Sequence, residues 1–242
     1  RIKNMTTNNR PVFLNLLQFR FPIGAVMSIG HRVSGVLMAL AIPFAIYLLD
    51  LSLQGPDGFA SAGSILGSGM VRFLLFFVLW ALMHHLLAGI RHLLIDFDVG
   101  VDKESAKKIG DAGNDRRACV RCGTGVTAMS RQATGLRAWA LQRITAVYLG
   151  LYFIYVLGLF ISAPPASFQA WQSYVADPVS GIGLLLFFVA LLLHVWVGLR
   201  DVLIDYVHQS TIRVSLLSLF GLALVGSGLW ATRAIFLAGA AS

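Results

Sequence analysis

Charged residues are scarce in this chain of 242 residues, because Asp, Glu, Lys and Arg together make up only 12% of it. Soluble domains usually carry about 25% charged residues, so the chain lacks the polar surface of an ordinary globular protein. Cysteine is nearly absent too. The two that occur, Cys119 and Cys122, lie in one short segment, which excludes a disulfide scaffold.

What the chain has instead is long apolar sequence, with 57% hydrophobic residues. Five stretches without a formal charge have about the length that a helix needs to cross a bilayer, roughly 20 residues. They are Val33–Leu49, Phe73–Ile90, Ile144–Ala163, Val179–Leu199 and Val214–Thr232, and the first extends back through Ile23 if Arg32 is tolerated inside the span. We therefore predict an all-α transmembrane bundle of five membrane helices.

The net charge of +8 is distributed unevenly along the chain. Seventeen of the 19 basic residues lie in residues 1–32, 91–143 and 200–213, whereas the loops 50–71 and 161–180 contain none. The positive-inside rule then places the N-terminus and the central segment in the cytoplasm. The charge therefore indicates membrane orientation, and we expect a multi-pass protein of the bacterial inner membrane with no nucleic-acid partner.

The central segment 98–128 is rich in Gly, Ala, Arg and Asp and shows little apolar periodicity, which is typical of a linker. It contains the Cys119-x-x-Cys122 pair. One such pair cannot complete a four-ligand zinc site, and no His follows Cys122, so the motif does not indicate a metal or attached haem. We predict a cytoplasmic linker without an assigned role.

A repeat at an offset of 109 residues is the most informative feature. His85–Phe97 aligns with His194–Tyr206, and the two share the pattern His-x3-Gly-apolar-Arg-x2-Leu-Ile-Asp-aromatic. Upstream, the segment 31–35 (His-Arg-Val-Ser-Gly) matches 142–146 (Gln-Arg-Ile-Thr-Ala). Matching polar residues at fixed spacing are not apolar filler, so we interpret the halves as an internal duplication.

Histidines inside membrane spans usually face a bundle interior, a cofactor or a water path. His85 and His194 lie at matching depths, and two neutral imidazoles on facing helices can ligate a b-type haem from both sides. The alternative is that each His only forms hydrogen bonds between helices. Arg32, Arg143 and His92 lie where haem propionates would need cations, although interfacial snorkelling alone explains many such arginines.

At these residues the chain resembles the membrane anchor of succinate dehydrogenase, respiratory complex II. Residues 1–97, including the segment 28–35 (Ser-Ile-Gly-His-Arg-Val-Ser-Gly), look like its cytochrome b556 subunit with two transmembrane helices. Residues 129–242 look like its small hydrophobic anchor subunit with three. The family usually has two chains of three transmembrane helices each, so the third transmembrane helix of the first half is missing here.

The resemblance implies specific roles for residues. His85 and His194 would be axial ligands of haem b lying between the two halves, with His31, Arg32, His92 and Arg143 around its propionates. Residues of the ubiquinone pocket would be Ser28, Arg32, Asp205 and Tyr206. Phe97 occupies the position of Tyr206 in the first half, so we expect one quinone site.

The implied function is that of an anchor that passes electrons to ubiquinone. It would dock the iron–sulfur and flavoprotein subunits, which hold the iron–sulfur clusters and FAD and perform the succinate chemistry. It would contact membrane lipid, and the resemblance allows a higher oligomer of the complex. Two alternatives remain open: a single-chain, two-haem fumarate reductase anchor, and a membrane channel or transporter without redox function.

Overall fold

The computed structural model describes residues 23–96 and 125–240. Within these ranges the chain is all-α, with seven helices and no strand. The helices are α1 (Ile23–Ser52), α2 (Pro56–Gly67), α3 (Gly69–Asp96), α4 (Gly125–Ser162), α5 (Phe168–Ala176), α6 (Pro178–Tyr206) and α7 (Ser210–Ala240). Cys119, Cys122, Phe97 and most of the predicted linker lie outside the described residues. The predicted linker boundary at residue 128 falls inside α4.

Five of the helices, α1, α3, α4, α6 and α7, are long and apolar enough to cross a membrane, with spans of 28 to 31 residues. This confirms the predicted bundle of five membrane helices. A helix of 28 residues is about 42 Å long, whereas the hydrocarbon core of a bilayer is only about 30 Å thick. The helix ends therefore reach the polar interface, where Asp96 is the last residue of α3.

Two short helices, α2 and α5, occupy the regions that the sequence analysis treats as plain loops. Gly55, with a φ of 105°, makes the turn that leads into Pro56 at the start of α2. Ser167 caps α5 by accepting a hydrogen bond from the Ala170 N–H, and Asp177 caps α6 by accepting one from the Ser180 N–H. These side chains satisfy backbone donors that a helix start leaves without partners.

The bundle packs mainly through α1 against α3, α4 against α6, and α7 against α6 and α1. Its buried core includes Ile46, Val175 and Phe188, and small side chains such as Ala231 and Ala238 let α7 approach closely. Most other large apolar side chains, among them Phe76, Trp80 and Leu222, are exposed. Exposed apolar surface on this scale is expected where lipid replaces water.

The structure extends the repeat seen in the sequence. Each half consists of a long helix, a short helix and a second long helix, α1–α2–α3 followed by α4–α5–α6, and α7 is added at the end. The first and third helices of each unit pack on each other. The repeat therefore covers whole three-helix units, and it brings the two histidine-bearing helices α3 and α6 into one bundle.

Candidate functional site

His85 lies on α3 and packs against the start of α1. Its Nδ1 is 3.0 Å from the carbonyl oxygen of His31 and 3.3 Å from the Ser34 hydroxyl. A carbonyl oxygen can only accept, so Nδ1 carries the proton and donates it. Nε2 of His85 therefore keeps a lone pair for a metal or another donor.

His194 on α6 has the matching environment beside the middle of α4. Its Nδ1 is 3.2 Å from the Thr145 hydroxyl, whose own hydrogen is donated to the carbonyl of Leu141 at 2.7 Å. The Thr145 oxygen thus accepts from Nδ1–H, and Nε2 of His194 again keeps its lone pair. That lone pair accepts a hydrogen bond from the Gln142 side-chain amide at 3.3 Å.

The two imidazoles lie next to each other, with ring centroids 6.2 Å apart and an interplanar angle of 78°. Metal–imidazole nitrogen bonds are about 2 Å long, which places the centroids of two rings on opposite sides of one ion roughly 6 Å apart. Metal-binding histidines typically donate their other ring N–H to a protein oxygen, as both do here. The residues present therefore fit a metal group that two imidazoles would hold.

The other predicted histidines lie in the same cluster. The His31 ring stacks on His85 with a centroid distance of 3.9 Å, and it lies 5.3 Å from the ring of His92. His84, adjacent to His85, points elsewhere, because a Cβ added at Gly30 would lie 2.7 Å from its ring. His31 and His92 are thus close to His85, whereas the His84 ring packs beside Gly30, more than one turn earlier on α1 than Gly35, which faces His85.

Three of the four residues predicted for the quinone pocket come together at the end of α6. Arg32 forms an ion pair with Asp205 at 2.9 Å, and its guanidinium also donates to the Tyr206 hydroxyl at 3.4 Å. The same guanidinium lies over the Tyr206 ring, 5.6 Å from its centroid. Ser28 lies one helical turn before Arg32 on the same face of α1. The Tyr206 side chain is exposed and so accessible to a ligand.

Arg143, predicted near the propionates, forms an ion pair with Asp96 and lies over the Trp139 ring. This pair is the counterpart of Arg32–Asp205, because the repeat aligns Arg143 with Arg32 and Asp96 with Asp205. Each ion pair joins the first helix of one half to the third helix of the other. The two halves are therefore connected reciprocally at the end of the bundle that carries the histidines.

Several residues of this site were not predicted from the sequence. Ser34 and Thr145 contact the two histidines, Gln142 contacts His194, and a Cβ at Gly35 would lie only 2.9 Å from the His85 ring. The signal was present in the alignment of segments 31–35 and 142–146, which places a hydroxyl residue at the same position in both halves. In contrast, a Cβ added at Gly89 or Gly198, the glycines one turn after each histidine, would make only ordinary van der Waals contacts, with His31 and Gln142 respectively.

Fold and site together define a multi-pass helical membrane protein in which two histidine rings from different helices lie next to each other. Sequence comparison assigns the family: residues 6–112 and 126–230 match the family described as succinate dehydrogenase/fumarate reductase transmembrane subunit. These residues make up most of the chain. The chain belongs to this family of membrane subunits.

The individual relatives are of two kinds, cytochrome b556 subunits and a hydrophobic membrane anchor subunit. The succinate dehydrogenase cytochrome b556 subunit of Coxiella burnetii is 40% identical over 88 residues, which are 36% of this chain and 70% of that protein. The succinate dehydrogenase hydrophobic membrane anchor subunit of the same organism is 33% identical over 104 residues, 43% of this chain and 90% of that protein. A cytochrome b556 subunit from Paracoccus denitrificans is 33% identical over 109 residues, 45% of this chain and 84% of the relative.

Proposed function

We propose that this chain is the membrane anchor of a succinate:ubiquinone oxidoreductase, with the two anchor subunits joined in one polypeptide. In this proposal it binds one haem b between its halves and ubiquinone near Arg32, and it docks the soluble iron–sulfur and flavoprotein subunits. The halves would be residues 1–97 and 129–242, in line with the separate cytochrome b556 and anchor subunits among its relatives.

The observation that carries the proposal is the pairing of His85 and His194. The two rings come from different halves and lie 6.2 Å apart, and in both the proton is on Nδ1, so that Nε2 could bind a metal. At His194 the metal would replace the hydrogen bond from the Gln142 amide. A haem iron coordinated by two histidines supplies a one-electron centre suited to electron transfer. The chain's part is to fix the two imidazoles next to each other, and His31, beside His85, and His92, beside His31, would help to hold the same group.

The quinone part of the proposal rests on the cluster of Arg32, Asp205 and Tyr206. The exposed Tyr206 hydroxyl can donate a hydrogen bond to a quinone carbonyl oxygen. The Arg32 guanidinium beside it can stabilise negative charge that develops on that oxygen during reduction. Asp205 holds the guanidinium in place through the 2.9 Å ion pair. Ser28 would line the same pocket from the preceding turn of α1.

The orientation of the chain follows from its basic residues. The histidine end of the bundle carries Arg32, Arg143, Arg200 and Arg213, whereas the segments that contain α2 and α5 have no Lys or Arg. The positive-inside rule makes the histidine end cytoplasmic. The iron–sulfur and flavoprotein subunits would then dock at this end, next to the quinone cluster, in a bacterial inner membrane.

A spectroscopic experiment tests the proposal. The full chain, purified in detergent with its partner subunits, should show a reduced-minus-oxidised spectrum of b-type haem at one haem per chain. The variants His85→Ala and His194→Ala should each lose the haem or its six-coordinate, low-spin spectrum. His84→Ala is the matched control, because it removes the neighbouring histidine on the same helix and should leave the spectrum unchanged.

The outcomes separate the candidate functions. No Soret absorption would support a non-redox membrane protein, and two haems per chain would contradict the one-haem assignment. An unchanged spectrum in His194→Ala would refute the ligand assignment itself.

A further inference from the structure

Two buried hydroxyl groups, Ser34 and Thr145, stand out among the described residues. Ser34 is 2% exposed and Thr145 is 5% exposed. The only other buried polar residue in the described part of the chain is Ser227, which is 7% exposed. A buried polar group without a hydrogen bond is costly, so each hydroxyl needs partners. Both find one partner in a backbone carbonyl of their own helix and the other in a histidine ring.

The direction of these hydrogen bonds follows from the donors available. Ser34 Oγ–H donates to the His31 carbonyl at 2.9 Å, and Thr145 Oγ1–H donates to the Leu141 carbonyl at 2.7 Å. With its hydrogen committed to the helix backbone, each oxygen can only accept from the imidazole. The two oxygens therefore accept from Nδ1–H and hold each ring in the tautomer whose Nε2 is free of a proton.

We propose that Ser34 and Thr145 are positioning residues that set the tautomer, orientation and basicity of the two axial histidines. The inference deepens the proposed function and rests on haem ligation by His85 and His194. The duplication supports it independently, because Ser34 and Thr145 occupy the same position in the two halves. Each half thus supplies a ligand from its third helix and the acceptor that orients it from its first.

The two positions are predicted to differ in importance. Nδ1–H of His85 is shared between the Ser34 hydroxyl and the His31 carbonyl, so removal of the hydroxyl leaves an acceptor at 3.0 Å. For His194 the Thr145 hydroxyl at 3.2 Å is the acceptor in hydrogen-bonding geometry with Nδ1–H, and the backbone carbonyl of Gln142 interacts with the ring from a less favourable position. Loss of the Thr145 hydroxyl should therefore have the larger effect.

The test compares Thr145→Val, Thr145→Ala, Thr145→Ser and Ser34→Ala in the full chain, purified with its partner subunits. Loss of such an outer partner typically costs about 10–100-fold in metal affinity, and we expect a haem dissociation rate raised by this factor in Thr145→Val and Thr145→Ala. Their haem midpoint potential should also rise, because a less basic imidazole stabilises ferric iron less. Thr145→Ser should restore both properties, and Ser34→Ala should change the dissociation rate only a few-fold.

Ser227→Ala is the matched control, because it removes a buried hydroxyl from α7, and it should leave haem affinity and potential unchanged. Wild-type affinity and potential in both Thr145→Val and Thr145→Ala would overturn the proposal. Loss in Thr145→Ala but not in the nearly isosteric Thr145→Val would also overturn it, because packing would then be the cause. Failure of the proposed function looks different: His194→Ala would keep the wild-type spectrum.

Discussion

Replacing Asp205 with Asn tests the Arg32 cluster by removing a charge without changing the side-chain size. Asp205 holds the Arg32 guanidinium at 2.9 Å, and Arg32 also donates to Tyr206. With its anchor neutral, the guanidinium is free to leave its position beside the Tyr206 hydroxyl. We therefore expect weaker quinone binding and a higher KM for ubiquinone in the assembled complex.

The size of the effect follows from the exposure of the pair. Two unit charges about 4 Å apart interact by about 4 kcal/mol at an effective dielectric constant of 20. The Arg32 and Asp205 side chains are 38% and 47% exposed, however, so solvent screening reduces the contribution. Exposed pairs contribute about 0.2–1 kcal/mol, and 1 kcal/mol corresponds to roughly a five-fold change in affinity. The KM for ubiquinone should therefore rise by up to about five-fold.

The assay is ubiquinone reduction by succinate, measured beside reduction of a soluble dye that accepts electrons before the quinone site. Asp205→Asn should raise the KM for ubiquinone and leave dye reduction unchanged. Asp201→Asn is the control, because Asp201 lies one turn earlier on α6 and pairs only with Arg200 among the described residues. An unchanged KM in Asp205→Asn, or an equal change in Asp201→Asn, would refute the reasoning.

Two further predictions concern stability. Gly35→Ala places a Cβ 2.9 Å from the His85 ring. It should lower the free energy of unfolding by about 1–3 kcal/mol and impair haem binding. Gly158→Ala is the control and should do neither, because a Cβ there would have nothing within 4 Å. The hydrogen bond from the Ser180 backbone N–H holds the pKa of Asp177 below its usual value. The ionised Asp177 cap therefore stabilises the fold at a pH above the pKa that Asp177 has in the unfolded chain. This stabilisation is lost as the pH falls through the lower pKa of Asp177 in the folded protein. The melting temperature should therefore fall less on acidification below about pH 4 in Asp177→Asn than in the wild type, and identical pH profiles would contradict the role of the cap.

The sequence predicted the five spans because long uncharged stretches are a physical requirement of the bilayer. It missed α2 and α5, since these helices are short and lie in segments recognised mainly by their lack of basic residues. Their caps were nevertheless visible: Gly55-Pro56, Ser167 and Asp177-Pro178 are typical helix starts.

The site could be predicted only in part. The histidines and the Arg32 cluster stand out because ionisable side chains inside a membrane are energetically costly and usually have a functional role. The Arg143–Asp96 pair joins residues 47 positions apart on two different helices, so single-helix spacing does not reveal it. Alignment of the two halves does contain the information, because the pair is the counterpart of Arg32–Asp205. The duplication was thus a better guide to contacts than any one motif.

The central claim is that one haem is held by one histidine from each half, His85 and His194. The most direct measurement is the electron paramagnetic resonance spectrum of the ferric protein for the wild type, His85→Ala and His194→Ala. The account predicts a low-spin signal at one haem per chain in the wild type, and a high-spin signal or loss of haem in each variant. A low-spin spectrum that survives either substitution would contradict it.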